Sequence, residues 1–90
     1  MQRILGVVEG RVQGVGFRYF THNLAADHNL SGWVRNRSDG LVEFEVQGQD
    51  TQVDRFIERV KQAKYPAKVT DLHLTEMEVD DSSNSFQIIK

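Results

Sequence analysis

The chain has 90 residues, of which 39% are hydrophobic and 27% charged, with seven Gly and one Pro. That is enough apolar material for one small core, too little for two, and unlike a disordered or collagen-like chain. With no Cys, disulfides, thiol nucleophiles and thiolate metal sites are excluded, and a cytoplasmic home is the default expectation. No apolar run approaches the ~20 residues of a membrane span, and no signal-peptide pattern opens the chain.

The net charge of −2 conceals an asymmetry. Residues 1–37 carry five arginines (Arg3, Arg11, Arg18, Arg35, Arg37) against Glu9 and Asp27, whereas residues 38–90 carry six basic and eleven acidic groups. A positive first third on an acidic chain points to a local anion site rather than a nucleic-acid surface, and the arginine fork suits phosphate or carboxylate.

In chain order, Ile4 to Val12 is apolar and β-branched and predicts a central strand, with Gly6 and Gly10 where another group approaches closely. Phe17, Phe20, Leu24 and Ala25 recur at helical spacing up to Asn29, which suits a left-handed helix stop. Leu30 to Arg37 predicts a second strand, and Ser38-Asp39-Gly40 a hairpin turn. Val42, Phe44 and Val46 alternate with Glu43 and Glu45, predicting a third strand with one wet face. Thr51 to Asp54 resembles a capping box, opening an amphipathic helix through Val53, Phe56, Ile57 and Val60 to about Lys64, ended by Tyr65-Pro66. Val69 to Val79 predicts a fourth strand with a bulge between Leu74 and Met77, and Phe86 to Ile89 a short last one. The order is the α+β, ferredoxin-like split βαβ sandwich, β-α-β-β-α-β plus a terminal strand, with two helices on one face of an antiparallel sheet. Residues 1–90 are expected to form a single domain.

This layout hosts many activities, so function has to come from particular residues. The most informative stretch runs from Gly10 to Arg18, where a strand ends, Gly14 and Gly16 turn the chain, and a helix starts with Arg18 in its first turn. Amides there lack intrahelical partners, the helix dipole favours an anion, and glycines let consecutive N–H groups converge on one point. A plain strand-to-helix turn suits the same glycines. Against that stands the arginine, which is unfavourable by a few tenths of a kcal/mol at a helix N-terminus unless an anion joins it. The stretch lacks the Gly-Lys-Ser/Thr of a Walker loop and the third glycine of a dinucleotide fingerprint.

Asn36 ends the second strand. In a right-handed split βαβ unit, strands one and two are parallel with strand three between them, so their carboxyl ends share one sheet edge. Asn36 therefore faces the Gln13–Arg18 loop, where an uncharged amide can hold a water without repelling an anion. Support of the hairpin turn is the alternative role.

Gly-Arg-Val-Gln-Gly-Val-Gly-Phe-Arg (10–18) followed by Gly-Trp-Val-Arg-Asn-Arg-Ser-Asp-Gly-Leu-Val-Glu (32–43) closely resembles the acylphosphatase family. The resemblance covers the whole chain in length and element order. It implies a phosphate-cradling loop at Gln13, Gly14, Val15, Gly16 and Phe17, a phosphate-binding Arg18 and a water-positioning Asn36. It further implies a small acyl phosphate substrate with orthophosphate as product; orthophosphate is also expected to inhibit, because the nest of amides recognises the anion, and no cofactor and a monomer are the plain expectations. Asn29 stands where the family often has Gly, and Tyr65-Pro66 where Gly-Pro or Gly-Ser is common.

Other readings are weaker. His22, His28 and His73 show no ligand spacing with carboxylates on one predicted face, so no metal site is expected. Glu43/Glu45 and Asp80/Asp81 read as a solvated strand face and a loop rather than catalytic pairs. Tyr19, Phe17 and Trp33 read as packing residues. RNA binding on this layout needs aromatics on strands one and three beside basic residues, and strand one has none. A binding domain that keeps the cradle without turnover, and a module of larger carbamoyl-transferring enzymes, are the alternative functions.

Overall fold

The computed structural model describes residues 1–90. Its elements are β1 (Gln2–Arg11), α1 (Phe17–Asp27), β2 (Ser31–Asn36), β3 (Val42–Gly48), α2 (Asp50–Lys61), β4 (Lys68–Met77) and β5 (Phe86–Ile89). The strands form one sheet in the order β4-β1-β3-β2-β5. β1 pairs antiparallel with β3 and β4, and β2 antiparallel with β3, which makes β1 and β2 parallel to each other across β3. The ferredoxin-like α+β arrangement is thus present, with one correction: β5 joins β2 in parallel, so the sheet is mixed.

Period-two alternation on the strands and helical spacing on α1 and α2 put one face of each into a shared core. Val8, Val34, Val42, Phe44 and Val46 come from the sheet, Phe17, Leu24 and Ala25 from α1, and Val53, Phe56, Ile57 and Val60 from α2. Phe44 meets Phe56 edge-on with centroids 5.3 Å apart, a geometry worth about 0.5–1.5 kcal/mol beyond its area. Gly6 makes room for this pair, because a Cβ there would stand 2.3 Å from the Phe44 ring.

Helix ends follow local chemistry. Asn29 adopts φ 56 and the Leu30 amide donates to Ala25 O at 2.9 Å, so the left-handed stop forms as its residue type suggests. α1 nonetheless ends at Asp27, two residues before Asn29. α2 starts at Asp50 behind Gln49, without a side-chain cap, so the Thr51–Asp54 box does not form. Asp54 instead accepts a hydrogen bond from Gln2 Nε2 at 3.1 Å. The helix stops at Lys61, short of Lys64.

The third strand's second face is not wet. Glu43 is buried and Glu45 half-buried, because arginines from neighbouring strands cover them. Arg3 of β1 donates to Glu45 at 2.6 Å, and Arg35 of β2 pairs with Glu43. Cross-strand pairing therefore absorbs two of the five arginines of the first third, and Arg37 pairs with Asp39 in the hairpin turn. The irregularity in β4 also lies elsewhere than expected. Glu9 opposes Asp71 and Gly10 opposes Val69, so Thr70 is the extra residue and the Leu74–Met77 segment runs regularly. No helix is long and apolar enough to cross a membrane.

Candidate active site

Because β1 and β2 are parallel, the segment leaving β1 and the end of β2 meet at one sheet edge. Gln13 ties them together: its Nε2 donates to Arg37 O and Leu41 O, both at 2.8 Å, on the β2–β3 hairpin. Two bonds from one amide fix the base of the loop that follows. Gly14 (φ 72) and Gly16 (φ 77) then both take the left-handed conformation that reverses the chain into α1.

Gly16 is the N-cap of α1. The helix has no side-chain cap and no acidic residue in its first turn. From Gly14 to Tyr19 no amide makes a turn or loop hydrogen bond to a backbone carbonyl; the first donor is Phe20, to Gly16 O at 3.1 Å. This is a run of free N–H donors at the positive end of a helix dipole, with left-handed residues of the kind that bring successive amides to one side.

Gly14, Gly16, Phe17, Arg18 and Asn36 line one cleft of about 120 Å³, together with Val12 and Tyr19. That volume suits a group of a few heavy atoms rather than a drug-sized ligand. Phe17 is buried in the core and anchors the turn, while Arg18 is half-buried. Arg3, Arg35 and Arg37 each pair with a carboxylate, but Arg18 has none in ion-pair reach. Asn36 Oδ1 is buried and accepts no hydrogen bond from the protein. Such an orphaned acceptor costs about 1–3 kcal/mol unless a bound group donates to it.

Of the residues singled out in the sequence, Gln13 and Val15 belong to the loop but not to the cleft lining. The Gln13 side chain is spent on the hairpin, and Val15 packs against the core. Tyr19, read as a packing residue, is largely exposed and stands on the cleft wall. Its only sequence signal is adjacency to Arg18 in the first helical turn.

The cleft holds no carboxylate and no imidazole. Beside it, Asp39 is held below the usual carboxylate range by the Leu41 amide and by Arg37 Nη2 at 2.7 Å. Away from it, the β1–β4 register makes a cluster that sequence spacing did not show: His73 Nε2 lies 2.6 Å from Glu9 and 3.3 Å from Asp71. Glu9 and His73 are 64 positions apart in the chain, so only strand pairing brings them together.

A family model for acylphosphatase matches residues 5–88. An acylphosphatase of Geobacillus thermodenitrificans is 42% identical over 89 residues, covering 99% of this chain and 95% of its own. The crystal structure of acylphosphatase from Bacillus subtilis superposes with a TM-score of 0.95 at 41% identity and full coverage of both chains. Full-length HypF, in its phosphate- and nucleotide-bound form, matches with a TM-score of 0.89 at 34% identity; the match covers 99% of this chain and 12% of HypF.

Proposed function

The chain belongs to the acylphosphatase family, and from that premise we propose that it hydrolyses acyl phosphates to a carboxylate and orthophosphate by in-line attack of water on phosphorus. One observation carries the reading: Gly14, Gly16, Phe17 and Tyr19, whose amides make no backbone hydrogen bond, line one small cleft with an unpaired Arg18 and with Asn36, whose Oδ1 accepts nothing from the protein.

In the proposed reaction, the loop amides and Arg18 hold the phosphoryl oxygens and balance the charge that spreads over them in the transition state. Gln13 and Val15 shape the loop from outside the cleft lining, Gln13 by holding the hairpin and Val15 by packing on the core. Asn36 accepts a hydrogen bond from the attacking water and orients it opposite the leaving oxygen. The water's oxygen bonds to phosphorus as the bond from phosphorus to the acyl oxygen breaks, and the electron pair leaves on the carboxylate. A carboxylic acid has a pKa of about 4, so its anion leaves without protonation. The substrate's own phosphoryl oxygen takes the water proton, consistent with a cleft that offers no carboxylate or imidazole. Arginine and amides supply the positive potential, so the reaction needs no metal ion.

Hydrolysis of benzoyl phosphate, followed by ultraviolet absorbance in excess EDTA, tests this. The wild type turns over, orthophosphate inhibits competitively, and Arg18→Ala lowers kcat/KM by about two to three powers of ten. A folded wild type without turnover, or an Arg18→Ala variant with full turnover, refutes the reading.

A further inference from the structure

A groove of about 680 Å³ on the β1–β4 side of the molecule is lined by Arg11, Ala63, Tyr65, Pro66, Ala67 and Lys68, among others, and by no carboxylate. Arg11, the last residue of β1, directly opposes Lys68, the first of β4. Like charges directly opposite each other destabilise a sheet. Neither cation takes part in any ion pair of the chain. The nearest carboxylates in the ladder, Glu9 and Asp71, are occupied by His73. Ala63, Pro66, Ala67 and the exposed ring of Tyr65 add an apolar wall.

The groove lies on the flank of β1 that faces away from β2 and Asn36. In-line displacement puts the attacking water and the leaving oxygen on opposite sides of phosphorus. Asn36, on the water side, belongs to β2, beyond β3 from β1; β4 lies on the other flank of β1. The phosphate loop springs from the end of β1 between them, so water held on the β2 side directs the acyl group toward β4. Arg11 precedes Gly14 by three residues, so their Cα atoms are at most about 11 Å apart.

We infer that this groove receives the acyl portion of the substrate, and that Arg11 and Lys68 select acyl phosphates whose acid carries a second anionic group, a carboxylate or a phosphate. The inference rests on the acyl phosphate reading above. The anion relieves the repulsion between the two cations while the hydrocarbon part packs on Tyr65 and Pro66.

The test compares 4-methylbenzoyl phosphate with 4-carboxybenzoyl and 4-phosphonobenzoyl phosphate, which share a ring and differ in tail charge. The wild type prefers at least one of the anionic probes by about threefold to tenfold in kcat/KM, mainly through KM, and added salt shrinks the preference. Arg11→Gln reduces it and Lys68→Glu reverses it, while both variants keep the wild-type kcat on the methyl probe, which also reports correct folding. Equal treatment of all three probes by the wild type, or a preference that survives Lys68→Glu, overturns the inference and leaves the acyl phosphate reading intact. A wild type that hydrolyses none of the probes overturns both.

Discussion

Replacing Asn36 by Ala separates the cost of the cleft from its use. The Asn36 Oδ1 is buried and accepts no hydrogen bond from the protein, a deficit of about 1–3 kcal/mol wherever no bound group donates to it. Truncation removes that deficit but also deletes packing at a half-buried position, so the two effects offset and stability stays within about 1 kcal/mol of wild type. Catalysis behaves differently. A preorganised group that acts on the reacting atoms is worth about 2.7–4 kcal/mol, which corresponds to a loss of roughly 10²–10³ in kcat. In the proposed reaction the phosphate donors are the loop amides and Arg18, all untouched, so KM for benzoyl phosphate and inhibition by orthophosphate move by no more than about threefold. Steady-state kinetics on benzoyl phosphate and urea unfolding read these quantities on one preparation. Near-full turnover in Asn36→Ala refutes the water-positioning role. A rise in KM equal to the fall in kcat/KM, with kcat unchanged, places Asn36 among the phosphate donors instead.

Four further substitutions probe the frame that carries the cleft. Gly16→Ala meets no atom within 4 Å but sits at φ 77, so it costs about 1–2 kcal/mol of backbone strain; unfolding at the wild-type midpoint contradicts the left-handed cap. Arg3→Leu leaves Glu45 unpaired where both side chains are mostly buried, at 7% and 18% exposure, and costs about 3–5 kcal/mol. Arg35→Leu costs under about 1 kcal/mol, because Arg35 is 52% exposed and Arg37 lies 3.9 Å from Glu43 as a second partner; equal losses in the two variants refute the covered-face account. The hydrogen bond to Glu9, helped by Asp71, raises the pKa of His73 above 6.5. A group whose pKa is higher folded than unfolded stabilises fully below its unfolded pKa, and that stability is lost as pH rises through the folded one. The stability gap between wild type and His73→Gln therefore narrows as pH rises above about 6.5, and a gap that widens contradicts the pairing.

What the sequence revealed and what it hid divide along a physical line. Local periodicity and turn chemistry located every strand and both helices, the Asn29 stop and the Gly14–Gly16 turn, since each depends on neighbouring residues. The placement of Asn36 opposite the loop followed from the handedness of the split βαβ unit, and the shared cleft lining agrees with it. Features set by strand pairing stayed hidden. Glu43 and Glu45 read as solvated because their covering arginines come from other strands. The bulge at Thr70, the parallel docking of β5 and the His73 cluster arise from register, which no single strand encodes. The unformed capping box belongs to the same class, since Gln2 engages Asp54 from 52 positions away.

The most direct measurement of the central claim, that the cleft passes a phosphoryl group to water, is hydrolysis of benzoyl phosphate in ¹⁸O-enriched water. The products are then read by mass spectrometry. Attack on phosphorus places the label in orthophosphate and leaves benzoate unlabelled. Label in benzoate means that water attacks the carbonyl carbon, and it contradicts the roles given to Arg18 and Asn36.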